Sequence, residues 1–434
     1  MAKEKAIVIS IDAMFNTDLE VMKDKKNTGS LLKRSSRVDY IHCVYPTYTY
    51  PCHASIMTGC YPEKHGIYHN ERFEVNAENH NWYWWRKDIK VPTMVDYARE
   101  NGLTASTVCW PVMGGNDASS YTIAEIWAES SDQDPTPRFD EADSPSVKHI
   151  FEKHKHELNY MKTPELDIFA SNCAVDIIKE FKPDLMFIHL SYLDHQRHKC
   201  GKETENVLHA IDFIDERIGE IIAATKEAGI YEDATFILLG DHGHMSVKSV
   251  FLINQILAEK GYITHEGEHI KDWKIMAHPS SFSAEIYTKN ISFEEAKKAL
   301  EEIMSEYPEY IERIMTKFET EEIYHLSGPF DFVAEGVNNV IFSPALTGAL
   351  VQKPEDGDYK TNISTHGFAP EKGDNPPFVV CGKRANCGKE IREARLVDEA
   401  PTILSLFGIK MKNIDGKPIK GLQNKKEVKY GTSI

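Results

Sequence analysis

Three strand-length apolar runs constrain this chain more than any other feature: AIVISI at 6–11, LMFIHL at 185–190 and TFILL at 235–239. Runs that are apolar throughout, rather than alternating, suit strands buried on both faces, as in a parallel sheet covered by helices. Helical patterns separate them, at 91–101, 146–182 and 203–228. The alternation predicts a layered α/β core with a mostly parallel sheet. Two more strands are expected at 38–44 and 103–109, with a charged linker or short helix at 18–36. Residues 71–90 read as irregular and aromatic. Residues 128–147, rich in Asp, Ser and Pro, read as a surface loop. Beyond about residue 250 the rhythm changes, with helices at 251–260 and 293–310, a strand at 284–288, and shorter strand-like pieces within 322–360. The expected organisation is a catalytic core of residues 1–250 and 361–434, which a strand at 378–381 and a helix at 397–406 rejoin. An α+β subdomain, 251–360, is inserted into it.

Residues able to hold a cation follow each apolar run. Asp12 ends the first. Asp194 and His198 follow the second, in SYLDHQRHKCG. Asp241 and His242 follow the third, in GDHGH. Ligands of open α/β sheets gather outside the carboxyl ends of strands. Asp194 and His198, four apart, share one face of a helical turn. Asp with His suits Zn²⁺, and also Mn²⁺. Gly240 and Gly243 allow the tight turn that Asp241 and His242 need to converge. His366 lies among turn formers in STHGF. Taken singly, each cluster reads first as a surface or capping group.

The stretch YPTYTYPCHASIMTGCYPEKHGIYHN, 45–70, frames a helix between Pro51 and Gly59. Thr49 then stands at the helix mouth, where free N–H groups and the dipole attract anions. Its hydroxyl is either a cap or a nucleophile toward phosphorus.

The net charge of −17 argues against non-specific binding to a nucleic acid duplex or an anionic membrane. An anionic substrate remains compatible, since bound divalent cations reverse a local field. No apolar run reaches the roughly 20 residues of a membrane span. The N-terminus lacks a basic segment followed by a long apolar one, so the expected location is cytoplasmic. The eight cysteines form no CxxC pair and read as reduced packing residues.

Together these pieces resemble the alkaline phosphatase superfamily, and within it the nucleotide pyrophosphatase/phosphodiesterase family. The resemblance rests on VISIDAM at 8–14, the 45–70 stretch, WYWWRKDIKVPTMVDYARENGLTASTVCWP at 82–111, PDLMFIHLSYLDHQRHKCG at 183–201, LLGDHGHMS at 238–246 and THGF at 365–368. LVDEAPTILSLFGI at 396–409 resembles the superfamily's closing helix. The resemblance is faint over 250–360. It implies an alkaline-phosphatase-like three-layer α/β/α core. It makes Thr49 the nucleophile of a metal-dependent hydrolase that passes through a phospho-Thr intermediate. Asp194, His198 and His366 would hold one divalent ion. Asp12, Thr49, Asp241 and His242 would hold the other. Zn²⁺ is the expected metal at both, with Mn²⁺ the alternative. Asn70 would donate to a phosphoryl oxygen.

The chain departs from the family pattern at Cys52, where Asn is usual, and at His244, where Met is usual. His244 is expected to support the site or the fold rather than act as an eighth ligand, as are His53, His65 and His69. The implied substrate is a small-molecule phosphate ester, a nucleotide-type or other diester or pyrophosphate. Tyr50 is expected to wall it, and Trp82–Trp85 to pack on the core. Rival readings are a phosphonoacetate-hydrolase-like C–P hydrolase, a phosphomonoesterase of the same superfamily, and a non-catalytic metal-binding scaffold. Nothing in the sequence fixes the oligomeric state.

Overall fold

The computed structural model describes residues 4–424 except 78–80, 127–133, 135, 159–163, 280 and 357–362. Eight strands form the central sheet: β1 (Lys5–Ile11), β2 (Ser35–His42), β3 (Ala105–Trp110), β4 (Tyr121–Ala124), β5 (Leu185–Leu190), β6 (Ala234–Leu239), β7 (Phe378–Gly382) and β8 (Glu390–Arg395). Their order is β8-β2-β7-β6-β1-β5-β3-β4. All neighbours are parallel except β7, which runs antiparallel to β2 and β6. This is the three-layer arrangement expected.

Successive side chains of β1 point to opposite faces. Ala6 and Val8 therefore join one buried cluster, and Ile7, Ile9 and Ile11 the other. Four helices matter for the site: α1 (Thr49–Thr58), α2 (Glu165–Phe181), α3 (Tyr192–Cys200) and α4 (Glu205–Glu227). Helix α4 buries Val207, Ile211, Ile214, Ile218 and Ile221, a spacing of three and four that lays one apolar stripe into the cluster holding Ile7, Ile9 and Ile11.

The register decides where the chemistry goes. β1 lies between β5 and β6, pairing Ile11 with Leu190 and Ser10 with Leu239. Three carboxyl ends thus stand side by side, and the residues just past them meet at one edge.

Between β6 and β7 the chain builds a second, antiparallel sheet in the order Ile275–Pro279, Ser283–Thr288, Phe332–Gly336, Ile311–Thr316. The helix Phe293–Glu306 packs Ala296, Ala299, Leu300 and Ile303 into its core.

The region 128–147 departs from the expected loop. Of its described residues, Thr136–Ala142 are α-helical and bury Phe139 and Ala142. Two apolar side chains three apart are enough to seat a short helix whatever its polar composition. The linker at 18–36 holds two short helices, Asp18–Met22 and Thr28–Leu32. Trp82 and Trp84 pack against the core as expected. All eight cysteines are unpaired, and six are buried. Among the described residues, no helix is long and apolar enough to cross a membrane.

Candidate active site

Thr49 is the first residue of α1, and the residue before it, Tyr48, is the extended cap (φ −98°, ψ 150°). The Thr49 hydroxyl therefore does no capping. Its Oγ1 lies 3.1 Å from His242 Nε2, and the residue is 8% exposed. Three side chains hold this helix, two at its start and one further along. Asn70 Oδ1 accepts from the Tyr50 amide at 2.9 Å, which leaves the Nδ2 end of Asn70 as the donor. His53 Nδ1 donates to the Thr49 carbonyl at 2.8 Å, so its Nε2 accepts from Ser10 Oγ at 2.9 Å. His65 Nδ1 accepts from the Ile67 amide, so its Nε2 donates to Ser55 Oγ at 2.9 Å.

Two groups of ligand-type side chains meet at the strand ends. Asp12, Asp241 and His242 bring one ligand atom each within 4.8 Å of one another, as do Asp194, His242, His244 and His366. His242 Nε2 is 3.3 Å from Asp12 Oδ1 and 3.2 Å from Asp241 Oδ2. His198 Nε2 is 3.2 Å from Asp194 Oδ2, and His366 Nε2 is 3.9 Å from Asp194 Oδ1. The stacked rings of His242 and His366, 3.8 Å apart, join the two groups.

These residues fit a pair of divalent cations. Ligand atoms bound at 2.0–2.2 Å around a tetrahedral ion lie about 3.3 Å apart. The ring tautomers agree. His198 Nδ1 donates to the Ser364 carbonyl, His366 Nδ1 to the Thr47 carbonyl and His242 Nδ1 to the Gly243 carbonyl. Each Nε2 is left with a lone pair toward the carboxylates, the form in which His ligates a metal. Asp12 Oδ1 and Asp241 Oδ2 are buried without a hydrogen-bond partner.

Burial pushes the Asp12 carboxyl up to about 7 and that of Asp241 well above its usual range. Burial also holds His242 well below its usual range and brings His366 down to about 4. Burial alone would raise Asp194, but His198 and His244 hold it well below the carboxylate range.

His244 lies within the ligand group, yet its Nε2 is only 2.6 Å from Asp194 Oδ1. That is a direct hydrogen bond, too short for two ligands of one ion. Its Nδ1 reaches Ser364 Oγ at 2.9 Å. A third group among the described residues, His69, His278 and Glu285, also brings its ligand-type atoms within 4.8 Å of one another. There His69 Nδ1 accepts from the Glu71 amide, so Nε2 carries the proton and faces Glu285 Oε2 at 3.6 Å as a donor, not a ligand.

Tyr50 corrects an expectation. It is 1% exposed, with its ring against Trp82 and its hydroxyl donating to Glu125 Oε1 at 2.9 Å. It offers no free face to a substrate, because the start of α1 turns it into the core. The glycines beside Asp241 and His242 have a different reason from the expected turn. Neither has positive φ. A Cβ on Gly240 would stand 2.4 Å from the Met14 carbonyl oxygen, and one on Gly243 1.9 Å from that of Asp374. They make room for neighbouring backbone.

Sequence reasoning missed His189 and Glu125. His189 Nδ1 meets Glu125 Oε2 at 2.8 Å, and its Nε2 faces Asp12 Oδ2 at 3.2 Å. Its one signal was a lone His inside an apolar strand. Glu125 gave none.

A family model described as type I phosphodiesterase / nucleotide pyrophosphatase matches residues 6–335. Ectonucleotide pyrophosphatase/phosphodiesterase family member 3 of Bos taurus is 28% identical over 214 residues, which cover 47% of this chain and 20% of that protein. A bis(5'-adenosyl)-triphosphatase of Bos taurus is 26% identical over 260 residues, 58% of this chain and 49% of that protein. The chain thus spans half or less of the length of these relatives. Murine ectonucleotide pyrophosphatase/phosphodiesterase 5 shares the fold with a TM-score of 0.69 at 16% identity, over 97% of this chain and 100% of that one. An inactive threonine-to-alanine variant of it, solved in complex with AMP, superposes with the same TM-score, covering 98% of this chain and 100% of that one.

Proposed function

This chain belongs to the type I phosphodiesterase / nucleotide pyrophosphatase family, and from that premise we propose that it hydrolyses a phosphodiester or pyrophosphate bond of a nucleotide-type or other small-molecule substrate, using Thr49 as nucleophile. The observation that carries the reading is the Thr49 hydroxyl at the start of α1, not spent on capping and 3.1 Å from a His242 nitrogen whose neighbours are the partnerless oxygens of Asp12 and Asp241.

Asp194, His198 and His366 would hold one divalent cation, and Asp12, Asp241, His242 and Thr49 the other, with Zn²⁺ favoured by the Asp/His donor set. When bound, the ions supply Lewis-acid help to the attacking and leaving oxygens. The chain's own residues do the rest. The start of α1 aims the Thr49 oxygen at phosphorus, but the expected row of free N–H groups is not there: Asn70 Oδ1 takes the Tyr50 N–H, Pro51 has none and the Cys52 N–H bonds the Tyr48 carbonyl. Asn70, held at Oδ1 by the Tyr50 amide, presents its Nδ2 hydrogens to a phosphoryl oxygen. Thr49 gives up its hydroxyl proton and bonds to phosphorus as the bond to the leaving oxygen breaks, and the leaving group takes up a proton through solvent. Water then attacks the phospho-Thr from the opposite side and frees the Thr49 hydroxyl. An uncharged amide at the phosphoryl oxygen suits the single charge of a diester better than the dianion of a monoester.

The test compares turnover of the p-nitrophenyl esters of thymidine monophosphate, phosphorylcholine and phosphate, and of phosphonoacetate, each with added Zn²⁺ or Mn²⁺. Preferential turnover of a diester is expected. A clear preference for the monoester or the phosphonate overturns the diesterase reading.

A further inference from the structure

We propose that Glu125 and His189 form a buried brace that fixes the Asp12 carboxylate for cation binding and ties it, through Tyr50, to the phosphoryl contact Asn70. The proposal rests on the reading above, in which Asp12 is a ligand.

The geometry is a line of polar contacts through the core. The Asn70 Oδ1 accepts from the Tyr50 amide at 2.9 Å. The Tyr50 hydroxyl donates to Glu125 Oε1 at 2.9 Å. Glu125 Oε2 accepts from His189 Nδ1 at 2.8 Å. His189 Nε2 then faces Asp12 Oδ2 at 3.2 Å, while the other oxygen, Oδ1, faces His242 Nε2 at 3.3 Å. One Asp12 oxygen is thus turned to the ligand group and the other to the brace. The side chains of Glu125 and His189 are 3% and 2% exposed, so these contacts lie away from bulk solvent.

The fold supplies each member from a different element. His189 lies in β5 and pairs in register with Ser10, two residues before Asp12. Glu125 directly follows β4, and Tyr50 belongs to the first turn of α1. A carboxylate on a strand end rotates about its last torsion, and each rotation away from the ligand group weakens binding. A carboxylate–histidine pair behind it removes that freedom, and loss of such supporting partners lowers metal affinity about 10–100-fold. The same line holds the Tyr50 ring inward, which places the Tyr50 amide against Asn70. His189 and Glu125 are positioning residues. They touch neither substrate nor reacting atoms.

The test measures Zn²⁺ content and affinity of the purified full chain by competition with a chromophoric chelator. Glu125→Ala and His189→Gln should loosen one of two bound ions about 10–100-fold. Glu125→Gln keeps an acceptor for the ring N–H and a partner for the Tyr50 hydroxyl, so it should retain wild-type affinity. Near-UV circular dichroism identifies folded variants, and His189→Gln, nearly equal in volume, serves where Glu125→Ala does not fold. Both loosening variants holding both ions as tightly as wild type overturns the brace. So does Glu125→Gln falling as far as Glu125→Ala, because charge rather than position would then be at work. Asp12→Asn separates the underlying reading: if it binds both ions normally, Asp12 is no ligand and the site assignment fails before the brace does.

Discussion

Thr49 carries the proposed chemistry because its hydroxyl is not spent on capping the helix. Tyr48 takes the cap position, and the Thr49 oxygen is left facing His242. Thr49→Ala should therefore lower turnover by at least about a thousandfold, with binding and the cation-holding carboxylates left in place. Thr49→Ser keeps a hydroxyl and should retain measurable turnover. Hydrolysis at wild-type rate by the alanine variant ends the nucleophile assignment. Asn70→Ala removes one donor from the developing negative charge, an effect of about a hundredfold on kcat. Zinc content of that variant should match wild type, since Asn70 contacts the Tyr50 amide and no carboxylate of the site. Thr49 was legible in the sequence because Pro51 and Gly59 announce a helix and its start. Tyr50 was not, since only the packing of Trp82 and Glu125 around it decides that it faces inward.

Helix α1 presents Thr49 correctly only while its far side stays pinned. Ser55, one turn and a half further on, accepts from His65, and burial brings the His65 imidazole down to about 3. The folded chain thus keeps His65 neutral at pH values where the unfolded chain protonates it. Stability therefore falls as pH drops below the ordinary value near 6.5, and the loss continues down to about 3. The linkage amounts to about 2 kcal/mol between pH 7 and pH 5. Urea unfolding across that range should show a flatter profile for His65→Gln than for wild type, and parallel profiles would refute the assignment. The turn after β6 offers a second test. Gly243→Ala sets a Cβ against the Asp374 backbone, where no side chain can yield. We expect a loss of about 1–3 kcal/mol in the same measurement, and an unchanged midpoint would show that the turn is not close-packed. Strand β5 was read from the sequence residue for residue, since an apolar run introduced by Pro183-Asp184 has no competing pattern. The helix at 136–142 was not, because its two buried side chains are hidden in an acidic, proline-rich stretch.

At the scale of the whole molecule, the site exists only as a product of folding. Its proposed ligands stand at 12, 49, 194, 198, 241, 242 and 366, and only the parallel register of β1, β5 and β6 brings most of them to one edge. The sequence showed this much for Asp12, Asp194, His198, Asp241 and His242, which follow apolar strands, whereas His366 stood among turn formers. It did not show what lies over the helix mouth. The Tyr48 hydroxyl meets Ser283 Oγ at 2.8 Å, and the Tyr45 hydroxyl meets Glu335 at 2.8 Å, so the antiparallel sheet is tied to the residues flanking Thr49. Those contacts join chain segments more than 200 residues apart and leave no local pattern. An unfolded chain with such scattered ligands has no preformed site, so cation binding is folding free energy. A cation at about 1,000 times its dissociation constant adds about 4 kcal/mol of stability per site. Removing cations with a chelator should therefore lower Tm by several degrees, and added Zn²⁺ should restore it. In Asp194→Asn the zinc-dependent part of the shift should shrink without vanishing, because Asp12, Asp241 and His242 still hold an ion. Equal Tm with chelator and with zinc would mean that these buried carboxylates are stable without a cation, and the metal-dependent reading would fall with that result.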